Sequence, residues 1–254
     1  MQLPKTPSFR LDGRNALVTG ASRGIGLAAA AALAEAGAHV IACARTRETL
    51  DEVVEALREQ GGEASSLVLD VSDTERTERI LQEQPPLHVL VNNAGVARPA
   101  RMVDVTPEIF DAVMDVNVRA AYFVARGVVR NMLAAGVSGS IINMSSQMGH
   151  VGGVDRTVYC ASKFALEGIS KALAIEVGEN NIRVNTLCPT FIRTPLGEIT
   201  LNDPERRAWI MSKIKLGRVG EVEDLMGAIT FLASDAAAMI TGSSLMVDGG
   251  WTAG

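Results

Sequence analysis

A short apolar run, Asn15 to Thr19 (NALVT), passes directly into a glycine-rich segment and then into the alanine-rich stretch Ile25 to Ala36. Few folds tolerate that order. A buried strand must stop, the chain must turn within a few residues, and a helix must start at once. The turn is Gly20-Ala21-Ser22-Arg23-Gly24-Ile25-Gly26, with glycines spaced GxxxGxG. Glycines let the backbone turn tightly and approach a ligand closely, while the helix start offers free N–H groups and a positive dipole end. The unit is therefore read as a cradle for the pyrophosphate of a dinucleotide. Isolated glycine clusters also mark ordinary turns, so its position after a first strand carries the reading.

The same alternation continues to the end of the chain. Strands are expected at His39–Cys43, Ala64–Leu69, Leu87–Val91, Ser140–Met144, Ile182–Leu187 and Ser244–Val247. Helices are expected at Thr46–Gln60, Thr74–Gln84, Pro107–Ala135, Thr157–Gly178 and Glu221–Ser234. Near-continuous apolar strands separated by helices predict a seven-stranded, mostly parallel sheet covered on both faces, a doubly wound α/β (Rossmann) fold. No linker, repeat or low-complexity tract appears, so residues 1–254 are read as a single domain. Residues 194–220 lack clear patterning and are expected to be a loop acting as a substrate lid.

Composition excludes other classes. The net charge of −5 and the lack of a basic stripe argue against nucleic acid. The three cysteines, Cys43, Cys160 and Cys188, are widely spaced and suggest neither a disulfide framework nor a metal site. Residues Met1–Arg14 lack the apolar core of a signal peptide, and no segment reads as a membrane span. A cytoplasmic protein is expected.

Tyr159 and Lys163 lie four residues apart on a predicted helix, hence on one face. A phenol titrates near pH ~10, and a neighbouring ammonium lowers that value toward a useful acid–base range. Isolated Tyr–Lys pairs are common on surfaces. Here the preceding strand ends at Ser145-Ser146, at the carboxyl edge where open α/β sheets bind ligands.

Together these residues resemble the short-chain dehydrogenase/reductase family in its single-domain branch. TGASRGIG (Thr19–Gly26) resembles the family's cofactor turn, Asp70-Val71 its adenine contact, and NNAG (Asn92–Gly95) its strand-four signature, with Asn92, Ala94 and Gly95 along the cofactor. Asn117, Ser146, Tyr159 and Lys163 match its catalytic set, and Pro189, Ile192 and Thr194 its nicotinamide-side contacts. IRVN (Ile182–Asn185) and VDGG (Val247–Gly250) complete the likeness. It is nearest in kind to bacterial β-ketoacyl-carrier-protein reductases and to sugar or polyol dehydrogenases. One departure is Pro189-Thr190, where the family usually has Pro-Gly.

The resemblance implies hydride transfer between a nicotinamide and a carbonyl or secondary alcohol. Tyr159 is then the acid/base and Ser146 holds the reacting oxygen. Lys163 lowers the tyrosine pKa and binds the ribose, and Asn117 holds a relay water. Strand two ends in Cys43-Ala44-Arg45-Thr46 without an acid, so Arg45 and Arg23 are expected to meet a 2′-phosphate, favouring NADP(H) over NAD(H). Three segments should line the substrate pocket: Gln147, Met148, His150 and Val151; Thr190-Phe191; and Leu196–Leu216 with Trp209. Small residues Ala161, Ala165, Gly168 and Ala172 on one helix leave room for the homotetramer common in the family. Rival readings are a sugar or polyol dehydrogenase working oxidatively and a non-catalytic NADP-binding sensor.

Overall fold

The computed structural model describes residues 1–254, with the side chain at position 199 excepted. Seven strands form one sheet: β1 Asn15–Thr19, β2 His39–Ala44, β3 Glu63–Val68, β4 Val89–Asn92, β5 Gly139–Met144, β6 Ile182–Pro189 and β7 Ser244–Val247. Their order is 3-2-1-4-5-6-7, and every pairing is parallel. The expected doubly wound sheet is present, without an antiparallel edge.

Alternation along the strands builds two cores. In β1, Ala16 and Val18 face one side with α1 (Gly24–Glu35), α2 (Arg47–Glu59) and α9 (Glu223–Ala233). Leu17 points to the other, with α3 (Thr74–Gln82), α5 (Ala121–Ala135) and α6 (Thr157–Val177). All three of Ala16, Leu17 and Val18 are fully buried, as a strand covered on both faces requires. Alanines dominate α1, and their small size lets that helix lie close to the sheet.

Two expectations need correction. The single helix expected over Pro107–Ala135 is interrupted: α4 covers Pro107–Met114, a π-helical turn covers Asp115–Ala120, and α5 follows. No local residue signals the break, and its cause lies in tertiary contacts of Asn117 described below. The loop expected at 194–220 contains two helices, α7 (Pro195–Leu201) and α8 (Pro204–Lys213). Each starts with a capping side chain followed by proline. Thr194 accepts from the Gly197 N–H, and Asp203 accepts from Glu205 and Arg206 N–H groups. Thr-Pro and Asp-Pro are helix-start signals that weak apolar periodicity obscured.

A buried amide fixes the start of β4. Asn131 Oδ1 accepts from the Leu87 N–H at 2.8 Å, and its Nδ2 donates to the Leu81 and Gln84 carbonyls at 3.2 and 3.0 Å. It thereby ties α3 and the Pro85-Pro86 turn to α5. Asn131→Ala leaves these buried groups unpartnered and should cost about 2–4 kcal/mol, since each orphaned buried group costs about 1–3 kcal/mol. Urea titration checks it: the midpoint should fall with the m-value unchanged.

Candidate active site

Sheet order reverses between β1 and β4, which opens a crevice at their carboxyl ends. A polar staple holds its two lips together. Thr19 Oγ1 accepts from the Asn93 and Ala94 N–H groups, both at 3.0 Å, and Asn93 Nδ2 returns bonds to the Thr19 and Gly20 carbonyls at 3.0 and 3.3 Å. The glycine turn crosses this staple. A Cβ at Gly26 would lie 2.1 Å from the Gly20 carbonyl oxygen, so no side chain fits there. Gly20 and Gly24 have φ of +67° and +56°, which glycine alone adopts without strain. Thr194, the cap of α7, rests against Gly24. Ser22 is half-buried and Ile25 packs on the core, while Arg23 stands exposed in extended conformation at the start of α1.

Asn93 entered the sequence reading only as part of the NNAG signature, with no role of its own. Its neighbour Asn92 is buried and turned inward, donating to the Ala121 carbonyl and Asn143 Oδ1. The side chain of Asn92 thus braces the sheet, leaving its backbone at the crevice. Gly95 sits beside Asn117, where a Cβ would come 3.3 Å from Oδ1.

At the far lip of β2, Arg45 is exposed, and among the described residues neither it nor Arg23 forms an ion pair. Asp70 Oδ1 accepts from the Ser72 N–H and hydroxyl at 3.0 and 2.7 Å. Burial works to raise the Asp70 carboxyl, but those bonds and the Arg45 charge outweigh it and hold it below its ordinary range. Val71 packs half-buried on the core, and Thr46 precedes α2.

The catalytic candidates converge from β5, the π turn and α6. Ser146 Oγ donates to Gln147 Oε1 at 2.7 Å and accepts from the Met148 N–H at 3.1 Å. Lys163 is buried, and its Nζ donates to the Met144 carbonyl at 2.8 Å while standing 5.6 Å from the Tyr159 ring centre. Burial lowers the Lys163 ammonium to about 8, against the raising influence of Cys188 and Glu167. Burial also raises the Tyr159 phenol, with Ser146 and Arg156 opposing it. The Lys163 ammonium is turned to the β5 carbonyl.

Asn117 explains the π turn. Its Oδ1 accepts from the Val96 N–H, and its Nδ2 donates to the Val96 carbonyl and Ser162 Oγ, at 2.8, 2.9 and 3.1 Å. The side chain clamps the strand-four loop to α6. A relay water held by Asn117 must therefore use its backbone.

Beneath Lys163 lies a buried polar layer that the sequence did not announce. Glu167 Oε2 accepts from Thr186 and Ser244 hydroxyls at 2.9 and 2.7 Å, and Oε1 accepts from Cys188 Sγ at 3.3 Å. Those bonds hold the carboxyl low despite burial, which alone would raise it. His150 Nε2 reaches Glu167 Oε1 and Cys188 Sγ at 3.4 and 3.5 Å. His150, expected at the substrate, instead joins this layer. Its donor atoms with those of Glu167 and Cys188 lie within 4.8 Å of one another, the arrangement a metal ion would need. Hydrogen bonds among them already account for the grouping.

A cavity of about 290 Å³ opens beside the start of α6. Met148, Phe191, Trp209 and Ile210 give it apolar walls, with Arg156 and Thr200 among its polar groups. Phe191 and Trp209 both pack on Trp251, with ring centres 5.8 and 5.3 Å away. Val151 packs on the same cluster, Gln147 is buried, and Leu196 and Leu216 point to solvent. Pro189 ends β6, and Ile192 is buried against Gly220. The Thr190 hydroxyl is buried without a hydrogen-bond partner.

Comparison with known proteins places this geometry. The family described as enoyl-(acyl carrier protein) reductase matches residues 20–252. A D-erythrulose reductase of Gallus gallus is 45% identical over 245 residues, covering 96% of this chain and 98% of that protein. An L-xylulose reductase of Bos taurus is 43% identical, covering 96% and 99%. The crystal structure of a gluconate 5-dehydrogenase from Burkholderia cenocepacia, in complex with NADP and tartrate, superposes with a TM-score of 0.94 at 35% identity, covering 98% and 99%. Crevice, candidate residues and relatives agree, and the chain belongs to the short-chain dehydrogenase/reductase family.

Proposed function

We propose that this protein is an NADPH-dependent reductase of small polyhydroxylated carbonyl compounds, forming a secondary alcohol. The observation that carries the reading is that Ser146, just past the carboxyl end of β5, bonds to the buried Tyr159 phenol while Lys163 stands 5.6 Å from its ring, with the glycine turn at the same edge of the parallel sheet. Relatives named as reductases of erythrulose and xylulose and as a gluconate dehydrogenase support the substrate class.

The crevice fits a nicotinamide dinucleotide. Gly20, Gly24 and Gly26 let the turn pack tightly onto the N-terminus of α1, whose free N–H groups suit a pyrophosphate, and the orphaned Thr190 hydroxyl offers a polar partner on the nicotinamide side. Asp70-Val71 flank the adenine, with Ala94 and Gly95 along the dinucleotide and Pro189, Ile192 and Thr194 at its nicotinamide end. Arg45 and Arg23, both exposed and free of ion pairs among the described residues, suit a 2′-phosphate through charge and fork geometry. When bound, the nicotinamide supplies hydride equivalents for the carbonyl carbon.

The protein supplies the proton and the positioning. Tyr159, held neutral by burial, is a ready donor to the developing alkoxide. The Ser146 hydroxyl, fixed by Met148 and Gln147, stabilises the same oxygen. Lys163 leaves the Met144 carbonyl to bind the ribose and support the phenolate left on Tyr159. The backbone of Asn117 holds the water that returns a proton. Helices α7 and α8 act as the lid, as their packing against Gly24 and Trp251 suggests. Residues 1–254 act as one domain. The reverse oxidation uses the same groups, with Tyr159 accepting the proton.

Exposed apolar side chains on the outer helices, Phe110, Tyr122, Phe164 and Ile175, together with open space at Gly168, support a homotetramer. No helix is long and apolar enough to cross a membrane. All three cysteines are unpaired, which supports a reducing, cytoplasmic setting.

Tyr159→Phe should lower kcat by about 10²–10⁴-fold while NADPH still binds, as read by fluorescence titration. Retained turnover overturns the assignment of acid. Arg45→Asp should lower kcat/KM for NADPH by about 10–100-fold, the worth of a hydrogen bond to a charged group, and improve NADH. A wild-type enzyme that prefers NADH contradicts the cofactor reading. Lys163 is charged below its value of about 8 and neutral above it. The reductive kcat/KM should therefore be level near neutrality and fall above pH about 8 as that charge is lost. Lys163→Met should abolish this limb of the profile along with most activity.

A further inference from the structure

The mechanism leaves one buried charge unused. Arg156 stands three residues before Tyr159, at the start of α6, lines the cavity that opens there, and is only 8% exposed. A guanidinium carries five N–H donors. Those of Arg156 find little: Nη2 donates to Thr200 Oγ1 at 3.1 Å, and Nη1 reaches the Asp155 carbonyl at 3.5 Å. Among the described residues no carboxylate lies within ion-pair distance of it.

Its neighbour Arg206 shows the contrast. Arg206 lines the same cavity and is half-exposed, yet it is paired with Asp155 at 2.9 Å and Asp203 at 3.5 Å. Asp155 is thereby occupied, and the remaining acid of the lining, Glu205, is exposed. Burial and then the like charge of Arg206 act against the Arg156 cation and outweigh the support of Tyr159, Asp155 and Cys160. A cation removed from water without a counter-ion is costly. It persists where a ligand supplies the missing charge.

We infer that Arg156 is the anchor for a carboxylate on the substrate, so that the preferred substrates are keto acids of the sugar series rather than neutral ketoses. This rests on the proposed function and narrows it. The guanidinium fork matches a carboxylate in charge and geometry. Its place three residues before Tyr159 on the same helix sets an acid group held there near a carbonyl at the phenol. Thr200, on the lid helix α7, joins the bound carboxylate to lid closure through its bond to Arg156.

The test compares 5-keto-D-gluconate with L-sorbose, the six-carbon ketone of the same configuration that carries a hydroxymethyl group in place of the acid, using NADPH and the full-length enzyme. The wild type should favour the keto acid in kcat/KM. Arg156→Gln should reduce that preference by about 10–100-fold, mainly through KM, the range expected for a lost hydrogen bond to a charged group. Arg156→Lys should restore part of it. If Arg156 merely supports the fold, both substrates suffer in proportion and the preference stays constant, which overturns the inference. Reduction of sorbose in preference to the keto acid also overturns it, while leaving the proposed function standing. Turnover of neither would count against the proposed function. The anion site is then read directly by calorimetric titration of tartrate into the NADP⁺-loaded enzyme. Binding that weakens with Arg156→Gln supports the site, and equal or absent binding in both proteins removes it.

Discussion

The site depends on keeping β1 and β4 side by side while the chain leaves them in opposite directions. Adjacent parallel strands that part in this way open a crevice, and the open edge exposes backbone donors and acceptors. Thr19 and Asn93 meet that need with four hydrogen bonds across the gap. The Gly20 carbonyl, which one of those bonds engages, is also the atom that forbids a side chain at Gly26. Closure of the sheet edge and access for a pyrophosphate are therefore one packing problem. A bulkier turn would move Asn93, and with it the loop that carries Gly95 toward Asn117.

Helix α6 carries the chemistry and its foundation on one face. Tyr159, Lys163, Glu167 and Ser170 follow one another at helical spacing. Lys163 reaches the Met144 carbonyl, Glu167 gathers Thr186, Cys188 and Ser244, and Ser170 accepts from Asn143 at 2.8 Å. A wholly apolar face would pack against β5 and β6 without fixing the helix along its axis. Directional bonds fix that position, and the placement of the Tyr159 phenol follows from it. Such a layer is stabilising only when each member is satisfied, which is why a glutamate so deeply buried is surrounded by hydroxyl and thiol donors.

Much of the fold was legible because strand and helix impose different periods, and glycine marks the turns between them. Ser146, Tyr159 and Lys163 were legible for a related reason: strand ends and helix faces are local properties. Asn117 stood out as a motif residue, but its π turn did not, since that distortion is dictated by bonds to Val96 and Ser162 that are remote in sequence. Helices α7 and α8 were missed although Thr194-Pro195 and Asp203-Pro204 were visible, because capping is a weaker signal than periodicity. Asn93, Glu167 and Asn131 were unreadable for a common cause. Each is a polar residue whose value lies entirely in buried partners from other elements.

The electrostatics of Tyr159 and Lys163 bear on which protonation state the phenol holds. With Lys163 drawn to Met144, the Ser146 hydrogen bond and the Arg156 charge are what oppose the burial that raises the phenol. A neutral tyrosine is the correct state for giving a proton and the wrong state for taking one. Ribose hydroxyls presented to Lys163 would compete with the Met144 carbonyl for its donors and bring the charge toward the phenol. The proton inventory of the site is then set by what occupies the crevice, not by bulk pH alone. An anionic group on Arg156 acts in the opposite sense, because it screens a positive charge that now lowers the Tyr159 pKa. A carboxylate bound there would favour the donor form of the tyrosine, so that charge recognition and proton donation would act together in carbonyl reduction.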